Sequence, residues 1–238
     1  MILIITMAGT QAYGNEAYRS PSYLLPWGER TVLATILGEL CAGGALSDVV
    51  LVANERDADH MPHVRAIMRG LGIDKRNLFL TPSTSGQAET AFTGLTLLEE
   101  RTHDVTSPIL FHNVDSILLR RDLGEVASAL KGSDGYVDVF RSNNHNYSYV
   151  LLDDDRRVME IAEKIVISDM ATSGLYGFSS AAVFREHYVR ESDRHISAVY
   201  KRMISRNHRV IAGRAHAEED TIVLNTPADY INASIMLG

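Results

Sequence analysis

The sequence is poor in the features that mark several large classes of protein. It has one cysteine, Cys41, among 238 residues, so no disulfide can form within the chain. We interpret Cys41 as a small core residue, and such scarcity of cysteine is typical of a reducing cytoplasm. No apolar run approaches the ~18 residues of a membrane span, and the opening MILIITMAG lacks the basic flank of a signal peptide. We therefore expect a cytoplasmic protein with no membrane partner.

Positive charge is also scarce. Lys and Arg number 23 against 30 Asp and Glu, which gives a formal net charge of −7. A nucleic-acid surface needs a basic field to meet the phosphates, so we expect no nucleic-acid partner. A small phosphorylated ligand requires only a few local cations and backbone N–H groups, and the acidic balance does not exclude it. The hydrophobic content of 45% and the length are typical of one large globular domain.

Apolar runs and helical patterns alternate through the first half of the chain. Residues 2–6 form a continuous apolar run followed by Ala8 and Gly9, which is typical of a buried parallel strand that ends in a loop. Further strands are predicted at residues 48–53, 77–80 and 108–112, and helices at residues 31–40, 58–71 and 87–100. This order predicts a parallel sheet with helices on both faces, whose ligands bind at the carboxyl ends of the strands.

The second half contains shorter strands joined by turns. Strands are predicted at residues 136–140, 147–152, 158–162, 173–178 and 209–212, and helices at residues 181–188, 196–206 and 227–236. Asp153-Asp154-Asp155 is a hairpin-turn candidate, and Thr226 is a candidate N-cap. The whole chain is thus predicted to be one α/β domain, with a Rossmann-like, mixed, mostly parallel sheet in three layers and a β-rich insertion.

Charged residues at two strand ends are candidates for chemistry. Asp115 follows an apolar strand, where a carboxylate is well placed to hold Mg²⁺; a turn or helix cap is the alternative. Glu163-Lys164 follows the strand at 158–162, and a lysine there can meet a phosphate, although a solvated salt bridge is the commoner use. The nine histidines show no metal-ligand spacing such as HExxH, and we interpret them as structural or surface residues.

Several short motifs occur along almost the whole chain in a fixed order. They are the opening strand with Gly9 and Pro21-Ser22-Tyr23-Leu24-Leu25-Pro26, Ser85-Gly86-Gln87-Ala88-Glu89-Thr90, Asn113-Val114-Asp115, Tyr147-Ser148-Tyr149-Val150, Glu163-Lys164, Ile167-Ser168-Asp169, Ser173-Gly174-Leu175-Tyr176 and Asn225-Thr226-Pro227-Ala228-Asp229-Tyr230. The series resembles the sugar-nucleotidyltransferases, or nucleotide-sugar pyrophosphorylases, which carry PKPLLP, GQAET, Asn-x-Asp and GTPEDY segments at these places. Their sheet is akin to that of the GT-A glycosyltransferases.

The resemblance implies an enzyme that joins a nucleoside triphosphate (NTP) to a sugar phosphate or similar phosphomonoester, with release of pyrophosphate. Residues 1–130 would form a nucleotide-binding half and residues 131–238 an acceptor-binding half of one domain. The implied site residues are Asp115 for Mg²⁺, Ala8, Gly9, Gln87, Glu89 and Asn113 for the nucleotide, and Glu163, Lys164 and Tyr176 for the acceptor. Val223-Leu224-Asn225 stands where the family often has a second metal-binding aspartate, so Asp220, Glu219 and Glu218 are the alternative candidates for that ligand, with Asp220 preferred. Surface-glycan precursor synthesis and a homo-oligomer are further implications of the resemblance.

The chain departs from the family pattern at its two usual cations. Tyr13 stands where an arginine is usual, and Ser22 stands where the lysine of PKP is usual. These cations brace the triphosphate in the family, and Arg19 is a candidate to replace one of them in catalysis. Two alternatives therefore stay open: a non-catalytic regulatory relative that binds nucleotides, and a glycosyltransferase, whose usual Asp-x-Asp motif is interrupted here by Asn113.

Overall fold

The computed structural model describes residues 1–9, 20–102 and 106–235. The strands are β1 (Ile2–Met7), β2 (Pro26–Trp27), β3 (Arg30–Thr31), β4 (Asp48–Asn54), β5 (Leu78–Thr81), β6 (Ile109–Asn113), β7 (Ser116–Leu118), β8 (Gly135–Arg141), β9 (Tyr149–Leu152), β10 (Val158–Ala162), β11 (Met170–Phe178), β12 (Val210–Ala212) and β13 (Thr221–Val223). The α-helices are α1 (Val32–Cys41), α2 (Met61–Gly70), α3 (Gln87–Thr102), α4 (Leu123–Leu130), α5 (Ala181–His187), α6 (Ile196–Ser205) and α7 (Pro227–Ile235). Short 3-10 helices lie at Ser22–Leu24, Glu55–His60, Lys75–Asn77 and Glu218–Asp220.

The main sheet has nine strands and two kinds of pairing. Its path is β10-β9-β11-β6-β1-β4-β5, with β8 paired to β11 and β12. Strand β1 pairs in parallel with β4 and β6, and β4 pairs in parallel with β5. Strand β11 runs antiparallel to β6, β8 and β9. The predicted α/β fold, a mostly parallel sheet with a β-rich addition, is confirmed.

The three layers follow from the apolar run in β1. Leu3 and Ile5 point into a core with α1, α2 and α4, whereas Ile4 points into a second core with α3, α5 and α6. Because successive side chains of a strand face opposite sides, a strand covered on both faces must be apolar at every position. On α3, a Cβ at Gly94 would collide with Val52, so glycine at this position lets the helix lie directly on the sheet.

The two halves of the chain share this sheet. Strand β11, from the second half, pairs along four positions with β6, from the first half. A buried ion pair also joins the halves, with Arg121 Nε 3.0 Å from Asp138 Oδ2 and both side chains almost fully buried. The described residues of both halves therefore contribute to the same sheet and to the cores on its two faces.

Some predicted boundaries were wrong for local reasons. The helix predicted at 58–71 is a 3-10 helix followed by α2, and Pro62 lies in the first turn of α2, where its missing N–H is tolerated. Helix α4 and strands β7 and β13 were not predicted. The turn at Asp153 and the N-cap at Thr226 are confirmed by their hydrogen bonds, and Cys41 is half-buried at the edge of the core. Among the described residues, no helix has the length and apolarity to cross a membrane.

Candidate active site

A cleft of about 560 Å³ opens where β1 and β6 end, and both halves of the chain contribute to its walls. The polar residues along it include Gly9, Ser22, Gln87, Asn113, Asp115, Ser148, Glu163, Lys164, Tyr176 and His195. Parallel strands direct their carboxyl ends to one edge of the sheet, and the opening at that edge is the usual ligand site of such folds. The cleft thus brings together most of the site residues that the sequence predicted.

The floor of the cleft is the turn between β6 and β7. Asp115 lies half-buried in this turn, its carbonyl oxygen accepts a hydrogen bond from Leu224 N at 2.7 Å, and the Ser116 hydroxyl lies 3.4 Å from its Oδ1. Removal of the carboxyl from water raises its pKa from 3.8 to about 6, and hydrogen bonds from its own N–H and from Ser116 offset only part of that rise. A bound cation would favour the charged form of Asp115.

The start of α3 forms one wall of the cleft, at the place where the resemblance implies nucleotide binding. Gln87 donates from Nε2 to Asn113 Oδ1, and its Oε1 accepts from Ile196 N at 3.4 Å. Ala88 N also donates to the carbonyl oxygen of Arg194 at 3.1 Å. A Cβ at Gly86 would collide with that same carbonyl, so only glycine allows the loop and the segment before α6 to touch.

Two predicted nucleotide residues support this wall but are not among the described residues that line the cleft. Glu89 accepts a hydrogen bond from Ser85 N at 2.6 Å, and this bond lowers the pKa of its carboxyl. The Ala8 carbonyl accepts from Asn54 Nδ2 at 3.0 Å and from Thr84 N at 3.2 Å. Both residues hold loops in place, and their direct contact with a nucleotide stays a prediction.

Glu163 is the centre of the opposite wall. Its Oε2 accepts hydrogen bonds from the Ser148 hydroxyl and, at 2.8 Å, from the Ser197 hydroxyl. His195 Nδ1 lies 3.8 Å from its Oε1. Nearby, Tyr176 is buried with its hydroxyl 3.0 Å from Thr172 Oγ1, and burial raises the pKa of Tyr176 well above its usual value. This wall presents a fixed carboxylate and neutral hydroxyls.

Lys164 is the neighbouring cation. It is exposed and lines the cleft, and within the described ranges it makes no hydrogen bond or ion pair and is the one Lys or Arg of the lining. Its backbone has φ of 56°, a left-handed conformation that disfavours residues with a Cβ by about 1–2 kcal/mol. The side chain is therefore available to an anionic ligand, and the backbone that presents it is strained.

The role of Asp220 as a metal ligand stays a prediction. Its carboxylate forms an ion pair with Arg120, and Asp220 is not among the described residues that line the cleft. The reason is the register of β13, which brings Leu224, not an acidic residue, against Asp115. Arg19 lies outside the described residues. Ser22 does line the cleft at the place where the family pattern has lysine.

His195 and Ser197 are not among the site residues predicted from the sequence. Both come from the start of α6, which packs on β10 and so brings them against Glu163. No spacing in the sequence indicates this contact, because it depends on tertiary packing between segments about thirty residues apart.

Comparison with known proteins supplies the fold. The chain matches no protein-family model and no curated protein sequence. It is similar to a nucleoside-diphosphate-sugar pyrophosphorylase from Vibrio cholerae RC9, with a TM-score of 0.84, 23% identity, and 98% of this chain and 99% of that chain covered. It is also similar to an inositol-1-phosphate CTP transferase from T. maritima, with a TM-score of 0.70, 16% identity and 96% and 90% covered. A UDP-glucose pyrophosphorylase complexed with UDP-glucose gives a TM-score of 0.73 at 13% identity, with 99% and 97% covered. The chain therefore has the sugar-nucleotidyltransferase fold.

Proposed function

We propose that the protein is a Mg²⁺-dependent nucleotidyltransferase that joins an NTP to a sugar phosphate or a similar phosphomonoester and releases pyrophosphate. The observation that carries the proposal is that one cleft contains both the half-buried carboxylate of Asp115 and the cation of Lys164, which has no partner among the described residues. The resemblance to solved pyrophosphorylases in fold supports it. The carboxylate and hydroxyls around Glu163 favour an acceptor rich in hydroxyl groups, and such a product would serve surface-glycan synthesis in the cytoplasm, where NTPs are made.

The chain's own residues would act by positioning. An oxygen of the acceptor phosphate attacks the α-phosphorus of the NTP. The new P–O bond forms as the bond from the α-phosphorus to the oxygen that bridges it to the β-phosphate breaks, and pyrophosphate leaves. No covalent intermediate with the protein is needed. Lys164 would hold the acceptor phosphate at the attacking position. Gly9, Gln87 and Asn113 would shape the nucleotide pocket, and Glu163 and Tyr176 would hydrogen-bond the acceptor.

The donor set at the floor fits Mg²⁺. This ion prefers oxygen ligands and usually binds through one or two carboxylates, completing its shell with water and substrate phosphates. Asp115 supplies one such carboxylate, and Asn113 and Ser116 add neutral oxygens beside it. When bound, the ion would neutralise charge on the phosphate oxygens, a contribution that matters in a cleft with few cations.

A second candidate is a regulatory relative that binds a nucleotide without transferring it. The observation that favours it is Ser22 in the cleft wall, which leaves Lys164 as the one Lys or Arg among the described lining residues. Loss of one well-placed donor to a transition state can reduce kcat about 10²–10³-fold. The unpaired Lys164 argues for retained transfer, because a regulatory pocket for the nucleotide alone does not require it.

Pyrophosphate release tests the proposal. Purified protein would be incubated with Mg²⁺, each common NTP and a panel of sugar 1-phosphates and other phosphomonoesters. We expect release that requires both substrates, is lost in Asp115→Ala and Lys164→Ala, and persists in Lys201→Ala, which removes an exposed lysine of α6. Absence of release with every pair, together with an NTP-induced rise in Tm, would support the regulatory candidate instead.

A further inference from the structure

A second group of titratable residues lies outside the cleft, where α5 ends. His187 is fully buried, its Nδ1 lies 2.9 Å from the carbonyl oxygen of Val183, and its Nε2 has no hydrogen-bond partner among the described residues. A ring N–H on Nδ1 that donates to Val183 leaves a lone pair on Nε2. A buried polar atom without a partner is unfavourable, and in a folded protein it calls for a ligand or another physical explanation.

His208 faces this atom from the turn after α6. The two imidazole rings pack edge to face, with centroids 4.5 Å apart and planes at 82°. His208 Nδ1 lies 3.2 Å from Asp134 Oδ2, and this contact favours the tautomer with the proton on Nδ1. Metal-bound histidines characteristically direct their second ring nitrogen at a carboxylate or a backbone carbonyl, and both arrangements occur here.

Glu186 completes the group. One ligand atom each from Glu186, His187 and His208 lies within 4.8 Å of the other two. Arg206 Nη1 lies 3.9 Å from Glu186 Oε1 and would compete for this carboxylate. None of these residues lines the cleft, so the group is separate from the nucleotide and acceptor walls.

We propose that Glu186, His187 and His208 form a binding site for a borderline transition-metal ion, Zn²⁺ or an ion of similar preference. Two imidazole nitrogens and one carboxylate oxygen are a zinc donor set, with the fourth position left to water. The histidine Nε2 atoms are the ligands, and Val183 and Asp134 orient the rings. Imidazole nitrogens disfavour Mg²⁺, which prefers oxygen ligands, so this site would not compete with Asp115 for Mg²⁺.

The geometry needs only a small adjustment. Tetrahedral zinc with bonds of about 2.0–2.2 Å holds its ligand atoms about 3.4 Å apart. The three ligand atoms lie within 4.8 Å of one another and would have to approach by at most about 1.4 Å. The exposed side chain of Glu186 can move toward the two histidines. Bound zinc would tie the end of α5 to the turn between α6 and β12.

Zinc titration tests the site. Protein stripped of metal by a chelator would be titrated with ZnCl₂ against a chromophoric chelator, in excess Mg²⁺ so that hard-ligand sites are occupied. We expect one equivalent of Zn²⁺ to bind and to raise Tm. Asp134→Asn should weaken binding about 10–100-fold, and His208→Gln and Glu186→Gln by at least about tenfold.

Matched variants keep the test decisive even if a buried change disturbs folding. Glu186→Gln alters only an exposed side chain, and Arg206→Gln should tighten zinc binding because it removes the competing cation. His63→Gln, which removes an exposed histidine of α2, should leave zinc affinity unchanged. The proposal is overturned if wild-type protein binds no zinc, if Glu186→Gln and His208→Gln bind it unchanged, or if Asp115→Ala alone abolishes binding.

Discussion

The two walls of the cleft differ in the charged groups that they present to it. On the α3 side, the lining residues meet through amides and backbone groups, as between Gln87 and Asn113, and the supporting carboxylate of Glu89 is not among the described lining residues. On the β10 side, the wall is organised around a carboxylate, Glu163, with the unpaired cation of Lys164 beside it. An NTP carries more negative charge than a sugar phosphate, yet the described α3 wall offers it no lysine or arginine. In the proposed reaction, a metal ion held by Asp115 would therefore neutralise much of the charge of the triphosphate.

The largest expected effect comes from removing the cation of the β10 wall. Lys164→Gly should lower kcat/KM about 10²–10³-fold, because the acceptor phosphate loses its charge partner. The same change should raise the free energy of unfolding by about 0.5–1 kcal/mol, because glycine adopts the left-handed backbone without strain. Pyrophosphate kinetics and urea denaturation would measure the two effects.

Arg156→Gly is the matched control for Lys164→Gly. Arg156 also has a positive φ, of 61°, but lies in the exposed turn between β9 and β10. It should gain similar stability with unchanged kinetics. Equal activity of the Lys164→Gly and Arg156→Gly variants would contradict the assignment of Lys164 to the acceptor site.

The carboxylate of the same wall should show a smaller and more selective effect. Glu163→Ala is expected to raise KM for the acceptor about 10–100-fold with little change in KM for the NTP, because hydrogen bonds to a charged group contribute about 1.5–3 kcal/mol. Glu160→Ala, an exposed glutamate of β10, serves as the control. A rise in KM for the NTP instead would reverse the assignment of the two walls.

The contact between the walls can be broken at Gly86. Gly86→Ala would force the α3 loop away from the carbonyl of Arg194 and should destabilise the fold by about 1–3 kcal/mol, the usual range for overpacking. Both KM values should rise, because Gln87 and His195 move apart. Gly70→Ala, at the open end of α2, should not destabilise the protein; unchanged KM values in Gly86→Ala would show that the walls act independently.

The smallest expected effect is the pH dependence of Mg²⁺ binding. Since the pKa of Asp115 is raised to about 6, protons compete with the metal below that pH, and Mg²⁺ affinity without nucleotide should fall about tenfold from pH 7 to pH 5 and level off above pH 7. Calorimetric titration measures it. Asp115→Asn should bind Mg²⁺ weakly at every pH, and a wild-type affinity that is constant from pH 5 to pH 7 would contradict the raised pKa.

The parallel part of the sheet could be predicted because its strands are covered on both faces and are therefore apolar throughout, as residues 2–6 are. Helix α4 also has sequence features that are typical of a helix, namely Asp122 as its N-cap and Leu123, Val126 and Leu130 on one face. The β10 wall could be predicted only in part. Glu163 and Lys164 are marked by their position after a strand, but the approach of Ser197 and His195 depends on how α6 packs. The register that separates Asp220 from Asp115 is likewise set by tertiary pairing.

The pairing of β6 with β11 has a consequence for how the chain is made. Once residues up to Asn113 have left the ribosome, β6 can join β1 on one side, but its other partner starts at Met170. At about 5–20 residues synthesised per second, the apolar edge of Ile109, Leu110 and Phe111 stays uncovered for several seconds. An uncovered strand edge of this kind is a template for association with other chains. Nascent chains that stop before residue 170 should therefore be captured by chaperones, whereas chains that extend past Phe178 can close the edge themselves.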